Sequence, residues 1–156
     1  MKPTVLLTTF LVALSVCAST LTGKVVKVSD GDTITVLDSQ KVQHKIRLNK
    51  IDAPESKQAY GKVSKEHLAG FIAGKEVRVD WSKRDKYGRV LGEIFVGDLN
   101  VNLQMVRDGY AWHYKHFDNT ESYAQAESEA RAKKLGLWKD AHPVNPYEFR
   151  KSKKKR

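Results

Sequence analysis

From Leu21 to Trp81 the alternation of apolar and polar positions favours strands, with one helix set among them. Val25, Val26 and Val28 precede Asp30-Gly31, and Ile34-Thr35-Val36-Leu37 follow, the pattern of a hairpin turned through an Asp-Gly pair. Val42, Ile46, Leu48 and Ile51 predict a third strand, which Pro54 ends. Between Tyr60 and Ala73, Val63, His67 or Leu68, and Phe71 or Ile72 recur at helical spacing, and Gly74 supplies the stop. Val77-Arg78-Val79-Asp80-Trp81 alternates again, Asp85-Lys86-Tyr87-Gly88 turns the chain, and Val90 to Val96 predicts a fifth strand. Asn100 to Asp108 reads as a short helix closed by Gly109. Glu121 to Lys134, rich in Ala, Glu and Lys, reads as a longer one, finished at Leu135-Gly136 with Leu137 and Trp138 packing back.

Five short strands, an inserted helix and helices at the end predict an α+β chain. The arrangement suits a five-stranded Greek-key β-barrel of the OB type better than a doubly wound sheet. Barrels of this kind commonly bind nucleic acid or sugar. The chain has 156 residues, enough for one domain, and its 40% apolar content is enough for one core. The single cysteine, Cys17, excludes an internal disulfide and any zinc site built on several thiolates.

The two ends read differently from the middle. Lys2 leads into the uncharged stretch Thr4 to Thr22, whose apolar centre is shorter than the ~20 residues a spanning helix needs. With its small-residue exit near Cys17-Ala18-Ser19, residues 1–19 predict a secretory signal peptide and no stable membrane insertion. The lipoprotein alternative, through Cys17, needs a small residue where Val16 stands. The expected domain is 20–140, followed by a basic tail over 141–156. Of a net charge of +10, six cations lie in Arg150 to Arg156, so the body is only mildly basic. A block of like charges self-repels, which predicts a disordered tail, either a solubilising end or a non-specific phosphate binder.

Three segments concentrate functional groups: Asp30-Gly31-Asp32-Thr33, Arg47 to Glu55, and Asp85-Lys86-Tyr87-Gly88-Arg89. Each alone has a plain explanation as turn or loop chemistry. Together, Asp32, Asp52 and Glu55 offer three carboxylates from the ends of neighbouring strands. Two of these, with a main-chain carbonyl and waters, would make an open site for a hard cation such as Ca²⁺. Arg47 and Arg89 offer planar forks shaped to hold phosphate. Carboxylates, a metal and paired arginines suit phosphodiester chemistry, with a remaining carboxylate to position or deprotonate water. His113 and His116 lack a third nitrogen or sulfur ligand for zinc; His116 fits a nucleotide contact better.

The three segments, in this order and spacing, resemble the staphylococcal nuclease family, and the similarity runs from about Gly23 to Trp138. The resemblance implies an OB-fold and Ca²⁺-dependent cleavage of DNA and RNA on the 5′-oxygen side, leaving 3′-phosphates. It implies that the carboxylates of Asp32 and Asp52 and the carbonyl of Ala53 ligate Ca²⁺. Glu55 falls at the family's general-base position, and Arg47 and Arg89 match the arginines on the scissile phosphate. Lys86 and Tyr87 match groups near a terminal phosphate, and Tyr114 a nucleotide-stacking tyrosine. The best-known member has Thr in place of Ala53, a mild change where the ligand atom is a carbonyl. The loop after Glu55 also looks shorter here.

The expectation is therefore an exported enzyme, periplasmic or secreted, with DNA and RNA as substrates, low sequence specificity and no obligate protein partner. Its rivals are a non-catalytic OB-fold nucleic-acid-binding module and a basic surface protein that adheres to anionic polymers. All three carboxylates and both arginines are present, which argues against the binding module.

Overall fold

Strand β1 (Ser19–Asp30) serves two neighbours. Its first half, Ser19 to Lys24, pairs antiparallel with β5 (Glu76–Arg84), and its second half, Lys24 to Asp30, with β2 (Thr33–Leu37). Two register irregularities, at Val25/Lys27 and Val28/Asp30, bend it from one partner to the other. β2 pairs with β3 (Gln43–Leu48), and β5 pairs with β6 (Val90–Val96). The parallel pairing of β3 with β6, Ile46 opposite Val90 and Leu48 opposite Gly92, closes the sheet. The result is a closed, mixed five-stranded barrel with helices at its ends, the α+β, OB-type architecture expected. This computed structural model describes residues 19–154. Cys17 and all but the last residue of the expected signal peptide lie outside the described residues.

The barrel is filled by Val25, Ile34, Val36, Ile46, Leu48, Val79, Val90 and Ile94, each at most 2% exposed. Helix α1 (Gly61–Ile72) and helix α2 (Val101–Arg107) add Leu68, Ile72, Met105 and Val106 to the same core. α1 lies where the spacing predicts, but its inward face is Gly61, Ser64, Leu68 and Ile72, and Val63 is exposed. Ser64 settles the face: its Oγ donates to the Tyr110 carbonyl at 2.7 Å. Gly31 is required for the same reason. A Cβ there would sit 2.1 Å from Ser64 Oγ and 2.8 Å from Ala53 Cβ.

The expected third strand is broken. After Leu48, Asn49 and Lys50 turn, with Lys50 at φ 66°, and β4 (Ile51–Asp52) leaves the barrel. β4 pairs with β8 (Trp112–His113) in a separate two-stranded sheet, reached after the short strand β7 (Leu99–Asn100) and α2. Two buried polar residues hold this departure in place. Asn102, fully buried, donates to the carbonyls of Asn49 and Gly92 and accepts from Ile94 N–H. Glu127, on helix α3 (Glu121–Ala132), accepts from His113 N–H at 2.7 Å and is neutralised by Lys115 and Arg131. A 3₁₀ turn over Gly136–Lys139 returns Leu137 and Trp138 onto Trp112 and Ala130.

The C-terminal segment differs from its expectation. Instead of a disordered tail it forms helix α4 (Pro146–Lys153). Asn145 caps it by accepting from Tyr147 N–H at 2.9 Å, and Pro146 occupies the first turn, where no N–H is needed. Arg150, Lys151 and Lys153 in its last turn sit at the negative end of the helix dipole. Gln58 Nε2 donates to the Val144 carbonyl at 2.6 Å, and Tyr147 stacks on His116 with ring centroids 4.2 Å apart. Among the described residues no helix is long and apolar enough to cross a membrane.

Candidate active site

The end of β3, the β4 extension and the β1–β2 turn meet at one guanidinium. Arg47 Nη1 donates to the carbonyls of Leu48 and Ile51, at 2.6 and 2.9 Å, so the departing chain itself holds the arginine. Nη2 then reaches Asp52 Oδ1 at 3.0 Å and Asp32 Oδ2 at 3.1 Å. Asp32 Oδ2 also accepts from Ala53 N–H at 2.8 Å, and its Oδ1 from Thr33 Oγ1 at 3.1 Å. Asp32 and Asp52, 20 residues apart in sequence, are thus joined through one nitrogen and one backbone amide.

Asp52 is 1% exposed, and burial lifts its carboxyl above the usual range despite Arg150 and Arg47 beside it. Asp30, at the end of β1, is pushed up to about 6 by burial and by the neighbouring Asp32 charge. A cation at this cluster would share Asp52 with the guanidiniums of Arg47 and Arg150. The donors on offer, the carboxylates of Asp32 and Asp52, are hard oxygens, the chemistry that a hard cation such as Ca²⁺ takes. Among the described residues no group of three or more His, Cys, Asp or Glu converges as a metal cage, so such a site rests on two carboxylates plus main chain.

Glu55 lies just beyond the buried Pro54, on the irregular segment between β4 and α1. Its backbone is pinned by Gln58, whose side-chain oxygen accepts from Glu55 N–H at 3.1 Å. The side-chain partner of Glu55 is a residue that the reading of the motifs missed. Arg150 of α4 donates from Nη1 to Glu55 Oε1 at 2.8 Å and to Asp52 Oδ1 at 3.0 Å, and from Nη2 to Asp52 Oδ2 at 2.9 Å. Burial alone would lower its pKa; the bonds to Asp52 and Glu55 outweigh this and keep the guanidinium charged. Tyr114 OH lies 3.4 Å from Arg150 Nη2, and its phenol is pushed up by burial and the Asp52 charge. Beside these groups opens a cleft of about 340 Å³, lined by Glu55, Lys57, Phe149, Arg150, Lys153 and Lys154.

The structure brings together Asp32, Arg47, Asp52, Ala53, Glu55 and Tyr114. Arg89, Lys86 and Tyr87 lie on the β5–β6 turn, just before the β6 segment whose parallel pairing with β3 sets Leu91 opposite Arg47, and among the described residues none of the three bonds the carboxylate cluster. Arg89 Nε donates to Asp85 Oδ2 at 2.7 Å, and Asp85 also accepts from the N–H groups of Tyr87 and Arg89. The terminal nitrogens of Arg89 make no protein hydrogen bond among the described residues, and Lys86 Nζ and Arg89 both lie near the exposed Tyr87 ring. His113, by contrast, is buried against Asp118 at 2.7 Å, a structural role.

Residues 45–140 match the family model described as staphylococcal nuclease homologue. The chain belongs to the staphylococcal nuclease family. An uncharacterized endonuclease of Escherichia coli is 44% identical over 154 residues, covering 98% of this chain and all of the relative. An uncharacterized endonuclease of Haemophilus influenzae is 42% identical over 133 residues, 85% of this chain and 75% of its own length. A staphylococcal-like nuclease of Arabidopsis thaliana is 41% identical over 110 residues, 70% of this chain and 34% of its own. Membership of the staphylococcal nuclease family supports a nuclease function. Arg150 lies beyond the stretch that matches the family model.

Proposed function

We propose that this protein is an exported, Ca²⁺-dependent, sugar-non-specific endonuclease that hydrolyses phosphodiester bonds of DNA and RNA to 3′-phosphate products. The observation that carries the reading is the Arg47 guanidinium bound to both Asp32 and Asp52, with Glu55 beside them at the mouth of a basic cleft. Asp32, Asp52 and the Ala53 carbonyl would hold Ca²⁺. When bound, Ca²⁺ supplies Lewis-acid stabilisation of charge on a phosphate oxygen. Glu55, half-buried at the cleft, orients the attacking water and takes its proton at the carboxylate. Arg47, already fixed by two carbonyls, offers a preorganised donor to the charge that grows on phosphorus oxygens. Arg89 adds a second fork from the β5–β6 turn, using the nitrogens that Asp85 does not take.

Sequence preference should be weak, because the side chains offered are phosphate-binding cations and aromatic faces such as Tyr87 and Tyr114. Nicking of a supercoiled plasmid, and degradation of an RNA transcript, with added Ca²⁺ or with chelator, test the reading directly. Cleavage of both polymers with Ca²⁺, abolished by chelator, is the expected result. Undiminished nicking in chelator would remove Ca²⁺ from the mechanism, and intact plasmid and transcript under all conditions would remove the enzyme. Recovery of the protein from the periplasm or medium tests export.

A further inference from the structure

We propose that Arg150 is a third arginine of the active centre, a positioning residue that fixes Glu55 against Asp52 and competes with the divalent cation for Asp52. The inference rests on the nuclease reading above and adds to it a residue from outside the family-matched stretch.

Glu55 lies on a segment without helix or strand, and Arg150 is the one side chain that bonds its carboxylate among the described residues. The same guanidinium grips both oxygens of Asp52, which is almost wholly buried and rigidly placed by β4. One planar fork therefore spans a buried carboxylate on a strand and a half-buried one on an irregular segment, and so transmits the position of the first to the second. The contact is specific to the helix that carries it. α4 is capped by Asn145, held through Val144 by Gln58, and stacked through Tyr147 on His116, so the guanidinium arrives from a docked element.

Electrostatics gives the second half of the proposal. Arg47 and Arg150 together occupy both Asp52 oxygens, so a cation that uses Asp52 must share it with, or displace, a positive charge. Arg150 thus weakens cation binding at Asp52 while holding Glu55 in place.

The test compares the full chain with Arg150→Ala, Arg150→Lys and a control on the same helix, Ser152→Ala. Ca²⁺ affinity is measured by calorimetry without substrate, and kcat and KM on a short single-stranded oligonucleotide. Arg150→Ala should bind Ca²⁺ roughly three- to tenfold more tightly, yet show kcat lowered about ten- to a hundredfold as Glu55 loses its tether. Arg150→Lys separates charge from geometry. Its Ca²⁺ affinity should stay near that of wild type, while kcat stays low, because one ammonium cannot span both carboxylates. Ser152→Ala should match wild type in both. Arg150→Ala with wild-type Ca²⁺ affinity and kcat would overturn the role of Arg150 and leave the nuclease reading intact. So would full recovery of kcat by lysine. A wild-type protein that neither binds Ca²⁺ nor cleaves would overturn both.

Discussion

Arg47 Nη2 lies 3.0 Å from Asp52 Oδ1 and is simultaneously shared with Asp32, so one nitrogen sets the distance between the two carboxylates. The other terminal nitrogen is committed to the backbone of the chain that carries Asp52. Arg47→Lys keeps the charge but cannot make four such bonds. Its kcat should fall on the order of 10²–10³, as for loss of one preorganised donor. Unfolding in urea should show a loss of about 2–3 kcal/mol, because a buried carboxylate is left with fewer partners. Wild-type turnover in Arg47→Lys would mean that the fork is not used.

Asp32 can be probed without disturbing its structural bond. In Asp32→Asn the side-chain oxygen still accepts from Ala53 N–H, while the ligand charge is gone. Calorimetry should show Ca²⁺ affinity reduced by at least about tenfold, with thermal unfolding little changed. Unchanged affinity would move the cation site away from Asp32.

Arg89 ends the β5–β6 turn, just before the β6 segment that pairs with the strand of Arg47, and Asp85 orients it through Nε. Arg89→Ala should lower kcat more than it raises KM, since the contact proposed for it is made to charge developing in the transition state. Arg89→Lys should rescue little. A change confined to KM would assign Arg89 to ground-state binding instead.

Glu93 supplies a pH dependence separate from catalysis. Burial by itself would raise its pKa, but bonds from Tyr123, Asn100 and Lys50 bring it below the ordinary 4.5. A carboxylate with a depressed folded-state pKa contributes stability above the unfolded value, and that contribution is lost as pH falls below 4.5 through the folded value. Glu93→Gln should therefore be less stable than wild type at pH 7, by roughly 1–2 kcal/mol for charge-assisted bonds. The two proteins should converge in acid. Denaturation curves at pH 7 and pH 3 with a constant difference would contradict the assignment.

The parts of the structure that follow local rules were legible in the sequence. The Asp30-Gly31 hairpin, the five barrel strands and the positions of α1, α2 and α3 follow from period and punctuation. The inward face of α1 was not, because Val63 and Ser64 stand one residue apart and only the Tyr110 carbonyl decides between them. The break at Asn49-Lys50 was hidden because Ile51 continues the apolar pattern; the groups that hold the diverted chain, Asn102 and the partner strand β8, come more than 50 residues later. The three motifs named the carboxylates and Arg47 that the fold gathers, but not Arg150. A run of cations looks self-repelling until the buried acid it reaches, 98 residues away, is known.

Asp32 belongs to the barrel, whereas Asp52 belongs to the two-stranded sheet of β4 and β8, whose second strand follows α2. The barrel ladder does not include Asp52, so a chain can complete its barrel hydrogen bonding and still lack a centre able to cut. A substitution that unpairs β4 from β8 should therefore abolish cleavage while most of the far-ultraviolet signal of the strands persists.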